Sequence, residues 1–157
     1  MQKSNRFSLK KIVIGIVFFV LVIQFFRIDK INPPMKPEMD FIKITHTPIT
    51  VGTILKTSCY DCHSNESAYP WYTNVAPFSW WIKHHINEGR EKLNFSEWGS
   101  YTSKKTDHKL EECIEQIQEG EMPMSSYLLV HKEATLNKEQ KQLLMDWFLS
   151  LRKSEER

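Results

Sequence analysis

The sequence is poor in glycine and contains no alternating pattern of apolar and polar residues. Only five of its 157 residues are glycine, and none of them forms the glycine-rich loop that holds phosphate groups. No segment alternates in the way that predicts a half-buried strand, and no internal repeat is visible. A plausible pair of nucleophile and base is also missing. These absences argue against a β protein and against an enzyme, and they favour a small helical domain.

Acidic residues are missing from the first eleven positions, which carry four basic groups. The charge balance is reversed in residues 46–151, where ten Lys and Arg stand against fourteen Asp and Glu, a net charge of −4. A domain with excess negative charge is poorly suited to neutralising phosphates, so we expect no nucleic-acid partner. The total length corresponds to one domain of ordinary size.

An apolar run without a charge covers residues 12–26 and follows four basic residues. The positive-inside rule places the N-terminus in the cytoplasm and everything after Arg27 outside. Fifteen residues would also suit a cleaved signal peptide, but small residues typical of a cleavage site are absent. We therefore predict a retained, single-pass anchor in the cytoplasmic (inner) membrane, with the remaining chain in the periplasm or outside.

Two cysteines and a histidine form the most informative motif of the chain. Cys59 and Cys62 are separated by two residues, and His63 follows directly. This Cys-x-x-Cys-His spacing is the attachment motif of a c-type haem. Thiols three positions apart lie on one face of a helical turn, so both can form thioethers with one porphyrin. The next residue, His63, would supply the proximal iron ligand. The motif predicts one covalent haem c.

Other uses of a Cys-x-x-Cys pair fit less well. A thioredoxin-like redox pair follows a strand, whereas the segment before Cys59 has a helical pattern, and a structural disulfide is the related alternative. A zinc site could combine both cysteines and His63 with Cys113 or a distant histidine, but a second ligand pair at finger-like spacing is missing. Cys113 lies on the apolar face of a predicted helix, which is typical of a small buried hydrophobe.

A methionine supplies the best candidate for the distal ligand. Met122 follows a predicted helix end, in a loop that contains a proline. A thioether ligand favours ferrous iron and raises the potential, which suits an electron carrier. We predict His63 and Met122 as the axial pair, with Met124 as the nearest competitor. His85, on the apolar stripe of a predicted helix, is the alternative that would give a bis-histidine haem.

Aromatic residues are dense after the attachment motif. A porphyrin needs flat apolar walls, so we expect Tyr69 and Trp71 to line its pocket, although aromatic residues also build ordinary cores. Arg90 could pair with a haem propionate through its planar guanidinium.

Apolar periodicity and capping residues predict four helices. They cover about residues 47–58, 77–93, 106–119 and 137–151. Gly120 stands in C-cap position, and Asn137 with Gln140 forms a variant of the capping box. We expect a small all-α domain of four to five helices. The predicted segments are a basic N-terminus (1–11), a transmembrane anchor (12–28), a proline-containing linker (29–45), the haem domain (46–151) and a charged tail (152–157).

Five short segments together carry a family resemblance: Ser58–Asn65, Tyr69–Tyr72, His85–Arg90, Leu93–Trp98 and Gly120–Pro123. Over roughly residues 46 to 150 the chain resembles the haem-binding domain family of membrane-anchored, cytochrome-c-like bacterial proteins. The resemblance implies a helical cytochrome-c-like fold with a covalent haem, and it implies Met122 as the distal methionine. It implies no particular reaction.

Three functions follow from these features. The first is a non-enzymatic, membrane-anchored carrier that passes single electrons between redox protein partners, with both axial positions of the iron filled. The second is a peroxidase-like or ligand-sensing haem protein whose distal position is open. The third is a haem-free module whose thiols form a disulfide or hold zinc. We expect the first.

Overall fold

The computed structural model describes residues 9–155, with side chains described for residues 9–152. Over this range the protein is all α, as predicted, with eight α-helices, four 3-10 helices and no strand. The α-helices are α1 (Leu9–Ile23), α2 (Phe41–Ile44), α3 (Ile49–Ser58), α4 (Tyr60–His63), α5 (Phe78–Lys92), α6 (Ser103–Glu119), α7 (Ser125–Leu128) and α8 (Lys138–Glu155). The 3-10 helices are Pro37–Met39, Trp71–Asn74, Phe95–Ser100 and Lys132–Ala134.

The eight helices outnumber the four to five predicted. Helices α3, α5, α6 and α8 correspond to the four that periodicity predicted, whereas α2, α4 and α7 have four residues each. One turn of helix is too short to repeat an apolar position, so these three elements leave no periodic signal.

The transmembrane prediction for residues 12–28 is wrong. Among the described residues, no helix is both long enough and apolar enough to cross a membrane. Helix α1 has fifteen residues, which rise about 22 Å against the roughly 30 Å of a bilayer core. It ends at Ile23, and the side chain of the next residue, Gln24, bonds to the backbone of Ala76. The predicted inner-membrane localisation, with a periplasmic haem domain, is overturned by the same finding.

The chain forms two compact units. The first comprises the residues up to 31 together with 69–85. Inside it, the Gln24 amide donates to the carbonyl oxygen of Ala76 and accepts from its N–H, each over 3.0 Å. The indole N–H of Trp80 donates to the carbonyl oxygen of Phe26 over 2.8 Å. These bonds tie the end of α1 to the segment that leads into α5.

The second unit comprises residues 32–68 and 86–157, and it contains the hydrophobic core. Its largest fully buried apolar side chains are Phe41, Leu55, Phe95, Leu110, Leu144 and Phe148. Helices α6 and α8 pack side by side in this unit. At their ends Arg152 donates to the carboxylates of Asp107 and Glu111 over 2.7 and 3.1 Å. The attachment motif belongs to this unit.

Candidate haem site

The attachment motif consists of Cys59 and the single turn of α4 that follows it. Cys59 lies between α3 and α4, and its carbonyl oxygen accepts the N–H groups of Cys62 at 3.2 Å and His63 at 2.9 Å. The motif is anchored at its start because the N–H of Cys59 donates to the carbonyl oxygen of Leu55. Both thiols and the imidazole are therefore carried by a single turn, as their spacing predicts.

The His63 ring is oriented by the last turn of α5. Its Nδ1 atom lies 3.0 Å from the carbonyl oxygen of Gly89 and 3.2 Å from that of Leu93. Because both partners can only accept, Nδ1 carries the proton and Nε2 carries the free lone pair. Burial lowers the pKa of His63, which favours the neutral ring. A neutral imidazole with a free Nε2 and a bonded Nδ1–H is the form that binds iron.

The three cysteines are free thiols. Burial, with a smaller contribution from Cys62, raises the pKa of Cys59 to about 12. Burial and the nearby charge of Asp61 raise the pKa of Cys62 to about 11. Burial also raises the pKa of Cys113, which packs against the core as predicted. All three side chains are protonated at neutral pH, and the thiolate form used in disulfide exchange and zinc binding is disfavoured.

A polar network holds the loop that follows the motif. The Arg90 guanidinium donates to the carbonyl oxygen of Ser64 at 2.7 Å, to Asn32 at 2.7 Å and to the hydroxyl of Ser67 at 2.8 Å. Through these contacts Arg90 acts as a clamp, which means that it holds the loop after the motif to α5 and to Asn32. Its pairing with a haem propionate stays a prediction.

The segment with the predicted distal methionine is also held by the second unit. Helix α6 ends at Gly120 in the left-handed conformation (φ 79°), as predicted for a C-cap. The N–H groups of Glu121 and Met122 both donate to the carbonyl oxygen of Gln116, at 3.0 and 3.1 Å. Met122 and Met124 are half-buried. Their roles as iron ligands stay predictions.

Three other predicted site residues belong to the first unit. Trp71 is 78% exposed, and the hydroxyl of Tyr69 accepts from Lys83 over 3.4 Å. His85 donates from Nδ1 to the carbonyl oxygen of Trp81 over 2.8 Å, one turn earlier in α5. None of these contacts tests a role toward haem, so Tyr69 and Trp71 as pocket walls and His85 as a ligand stay predictions.

The structure adds two residues that motif spacing did not single out. Asp61, between the two cysteines, accepts the hydroxyl of Tyr127 over 2.7 Å. These residues are 66 positions apart, so no local pattern could have paired them. The sequence contained one sign of a polar contact here, which is the acidic residue inside the motif itself.

Among the described residues, the donor set around the motif lacks the further ligands that a zinc site needs. In the described part of the chain, no group of three or more His, Cys, Asp or Glu side chains could jointly hold a metal ion. The indole N–H of Trp147 is a buried donor with no hydrogen-bond partner among the described residues. Trp147 packs against the same core cluster as Cys59. An unpaired buried N–H is costly, and a bound group with an acceptor would satisfy it.

Comparison with known proteins decides the family. The family model described as "Haem-binding domain" matches residues 18–150, most of the chain. The chain belongs to the haem-binding domain family. No curated protein and no solved structure gives a significant match. Membership in the haem-binding domain family shows haem binding, and it agrees with a site built from two thiols and an oriented imidazole.

Proposed function

We propose that this haem-binding domain carries one covalently attached haem c and passes single electrons between redox protein partners. The observation that supports it best is the setting of His63. Its Nδ1–H is bonded to two backbone carbonyls, so Nε2 carries the lone pair of the neutral ring, within one turn of two thiols. This is the arrangement that a proximal haem ligand needs.

Cys59 and Cys62 would hold the haem covalently, since each S–H would add across one vinyl double bond, with a C–S bond formed and the hydrogen passed to the neighbouring carbon. The addition is balanced and requires no oxidant. Burial raises the pKa of both Cys59 and Cys62, which disfavours the thiolate needed for disulfide exchange.

The axial ligands determine the kind of haem chemistry. His63 would hold the iron on the proximal side and Met122 on the distal side, in a cytochrome-c-like arrangement. When bound, haem supplies a reversible one-electron couple. A thioether ligand favours the ferrous state and leaves no open position for a substrate, which suits a carrier and not an enzyme. The backbone bond from Met122 to Gln116 fixes the start of the segment that carries this ligand.

Expression with a haem-maturation system tests the attachment. We expect a pyridine haemochrome spectrum of c type and one added porphyrin mass that survives denaturation. Replacing both Cys59 and Cys62 by Ala should abolish the covalent mass. Replacing Cys113 by Ala is the matched control and should preserve it. Colourless wild-type protein would refute the proposal.

Spectroscopy of the oxidised protein tests the distal ligand. Methionine ligation gives a weak band near ~700 nm, and this band should disappear in Met122→Ala and persist in Met124→Ala. Loss of the band in Met124→Ala alone would assign the ligand to Met124. A high-spin ferric spectrum of the wild type would favour the peroxidase-like or ligand-sensing alternative.

A further inference from the structure

The carboxylate of Asp61 joins the attachment motif to a distant helix. One oxygen accepts the N–H of Ala68 over 3.1 Å, and the other accepts the hydroxyl of Tyr127 over 2.7 Å. The first bond closes the loop after the motif, and the second reaches α7. A short bond from a hydroxyl to a carboxylate is stronger than a neutral hydrogen bond.

Tyr127 lies directly after the methionine segment, defined here as residues 120–124. The N–H groups of Tyr127 and Leu128 donate to the carbonyl oxygen of Met124 over 3.0 and 3.1 Å. At its other end the segment is bonded to Gln116 on α6. The methionine segment is therefore held on one side by α6 and on the other by α7.

The ring of Tyr127 is itself held in place. It stacks on the imidazole of His131, with ring centroids 4.1 Å apart and planes 14° from parallel. The N–H of His131 donates to the carbonyl oxygen of Tyr127, and its Nδ1 lies 2.9 Å from the carboxylate of Glu133. This stacking limits the positions of the hydroxyl and favours the bond to Asp61.

We propose that Tyr127 is a positioning residue, which holds the methionine segment beside the attachment motif through its hydrogen bond to Asp61. The bond connects the turn that carries His63 to the segment that carries Met122. Its loss would free α7 from the motif while the bonds to Gln116 remain. The consequence for the iron rests on the proposed function, because only then does Met122 bind it.

Hydrogen exchange tests the positioning without haem. In a Cys59→Ala/Cys62→Ala background, Tyr127→Phe should speed amide exchange of the methionine segment by about tenfold, the factor expected for a lost bond to a charged group. Tyr101→Phe removes a hydroxyl elsewhere in the same unit and should leave that exchange unchanged. Unchanged exchange in Tyr127→Phe would overturn the inference, whatever the haem content.

Ligand binding tests the consequence in the full, haem-loaded chain. In Tyr127→Phe we expect covalent haem to be retained, the band near ~700 nm to weaken and the affinity of the ferric protein for imidazole to rise about tenfold. Asp61→Ala should have the same effect, and the double variant should show no further increase. Asp61→Asn keeps one acceptor oxygen for two donors and loses the charge, so it should lie between the wild type and Asp61→Ala. Additive effects of the two single variants would overturn the role of this contact.

The two proposals fail in different ways. Wild-type protein without covalent haem, but with faster exchange in Tyr127→Phe, would refute the electron-carrier proposal and keep the positioning role. Covalent haem with a methionine band that is insensitive to Tyr127→Phe would keep the electron-carrier proposal and refute the positioning role.

Discussion

The backbone of Gly89 lies against the carbonyl group of Cys62. A Cβ atom added to Gly89 would lie 2.7 Å from that oxygen and 3.2 Å from its carbon. Both atoms belong to the backbone, so they cannot rotate away as a flexible side chain would. The missing side chain therefore lets α5 approach the attachment motif, and the same approach brings the Gly89 carbonyl to His63.

Gly89→Ala should destabilise the protein and disturb the proximal histidine. We expect the free energy of unfolding in urea to fall by about 1–3 kcal/mol, because the added methyl group overpacks a backbone contact. In loaded protein the haem spectrum should report a less uniform His63 environment.

Gly52→Ala is the matched control, since Gly52 is also a glycine within a helix. A Cβ there would meet side-chain carbons of Ile42 at 3.7 Å, an ordinary contact. Alanine favours helix over glycine by about 1 kcal/mol, so this variant should be as stable as the wild type or more stable. Equal destabilisation by both substitutions would contradict the role of the close approach at Gly89.

Asp40 should make the free energy of unfolding fall as the pH rises. It accepts the N–H of Ile42 as the N-cap of α2 and the buried hydroxyl of Tyr60 over 3.0 Å. Burial raises the pKa of Asp40, so the folded state binds its proton more tightly than the unfolded state. The protonated form of Asp40 therefore stabilises the folded state. This stabilisation is complete below the unfolded pKa and is lost as the pH rises through the folded pKa. Urea denaturation should show Asp40→Asn gaining on the wild type from about pH 3 to pH 7.

The alanine variant separates charge from hydrogen bonding at Asp40. Asp40→Ala removes the cap and leaves the Tyr60 hydroxyl without its acceptor, so it should cost about 1–3 kcal/mol at every pH. Tyr60→Phe in the Asp40→Ala background should recover part of this loss. A pH-independent difference between wild type and Asp40→Asn would contradict the raised pKa.

The ion pair of Arg152 with Asp107 should have the opposite effect, so that the free energy of unfolding falls as the pH falls. Its hydrogen bond lowers the pKa of Asp107, so the unfolded state takes up this proton first as the pH falls. The stabilisation is complete above the unfolded pKa and is lost as the pH falls through the folded pKa. Arg152→Gln should therefore be less stable than the wild type at pH 7, and the difference in urea denaturation should shrink below about pH 4. A difference that stays constant with pH would argue against this pair.

Local signals in the sequence were reliable in this chain. The side chain of Asn137 accepts the N–H of Gln140, and the side chain of Gln140 accepts the N–H of Asn137, so the predicted capping box is confirmed. Gly120 is confirmed as a C-cap. Both features depend on residues within one turn of each other, which is the range that sequence patterns describe well.

Long-range contacts explain what the sequence did not predict. At the end of α1, Gln24 bonds to Ala76, 52 positions away, and an apolar run gives no sign of such a contact. One local signal was also missed, because the Thr102 side chain caps α6, which begins at Ser103, a few residues before the predicted start. Arg90 also bonds to Ser64, which lies 26 positions earlier in the chain. The chemistry of the guanidinium group predicted only a charged partner, a haem propionate, and gave no sign of this backbone acceptor.

Arg90→Lys distinguishes this clamp from a propionate ligand. Lysine keeps the charge but cannot reproduce three donor directions to Ser64, Asn32 and Ser67. If the clamp is the main role, haem-free Cys59→Ala/Cys62→Ala protein should lose about 1–3 kcal/mol of unfolding free energy, and amides 64–67 should exchange faster. Lys92→Gln, which removes an exposed charge from the same helix, should change neither. A loss of stability confined to the loaded protein would instead support pairing of Arg90 with a haem propionate.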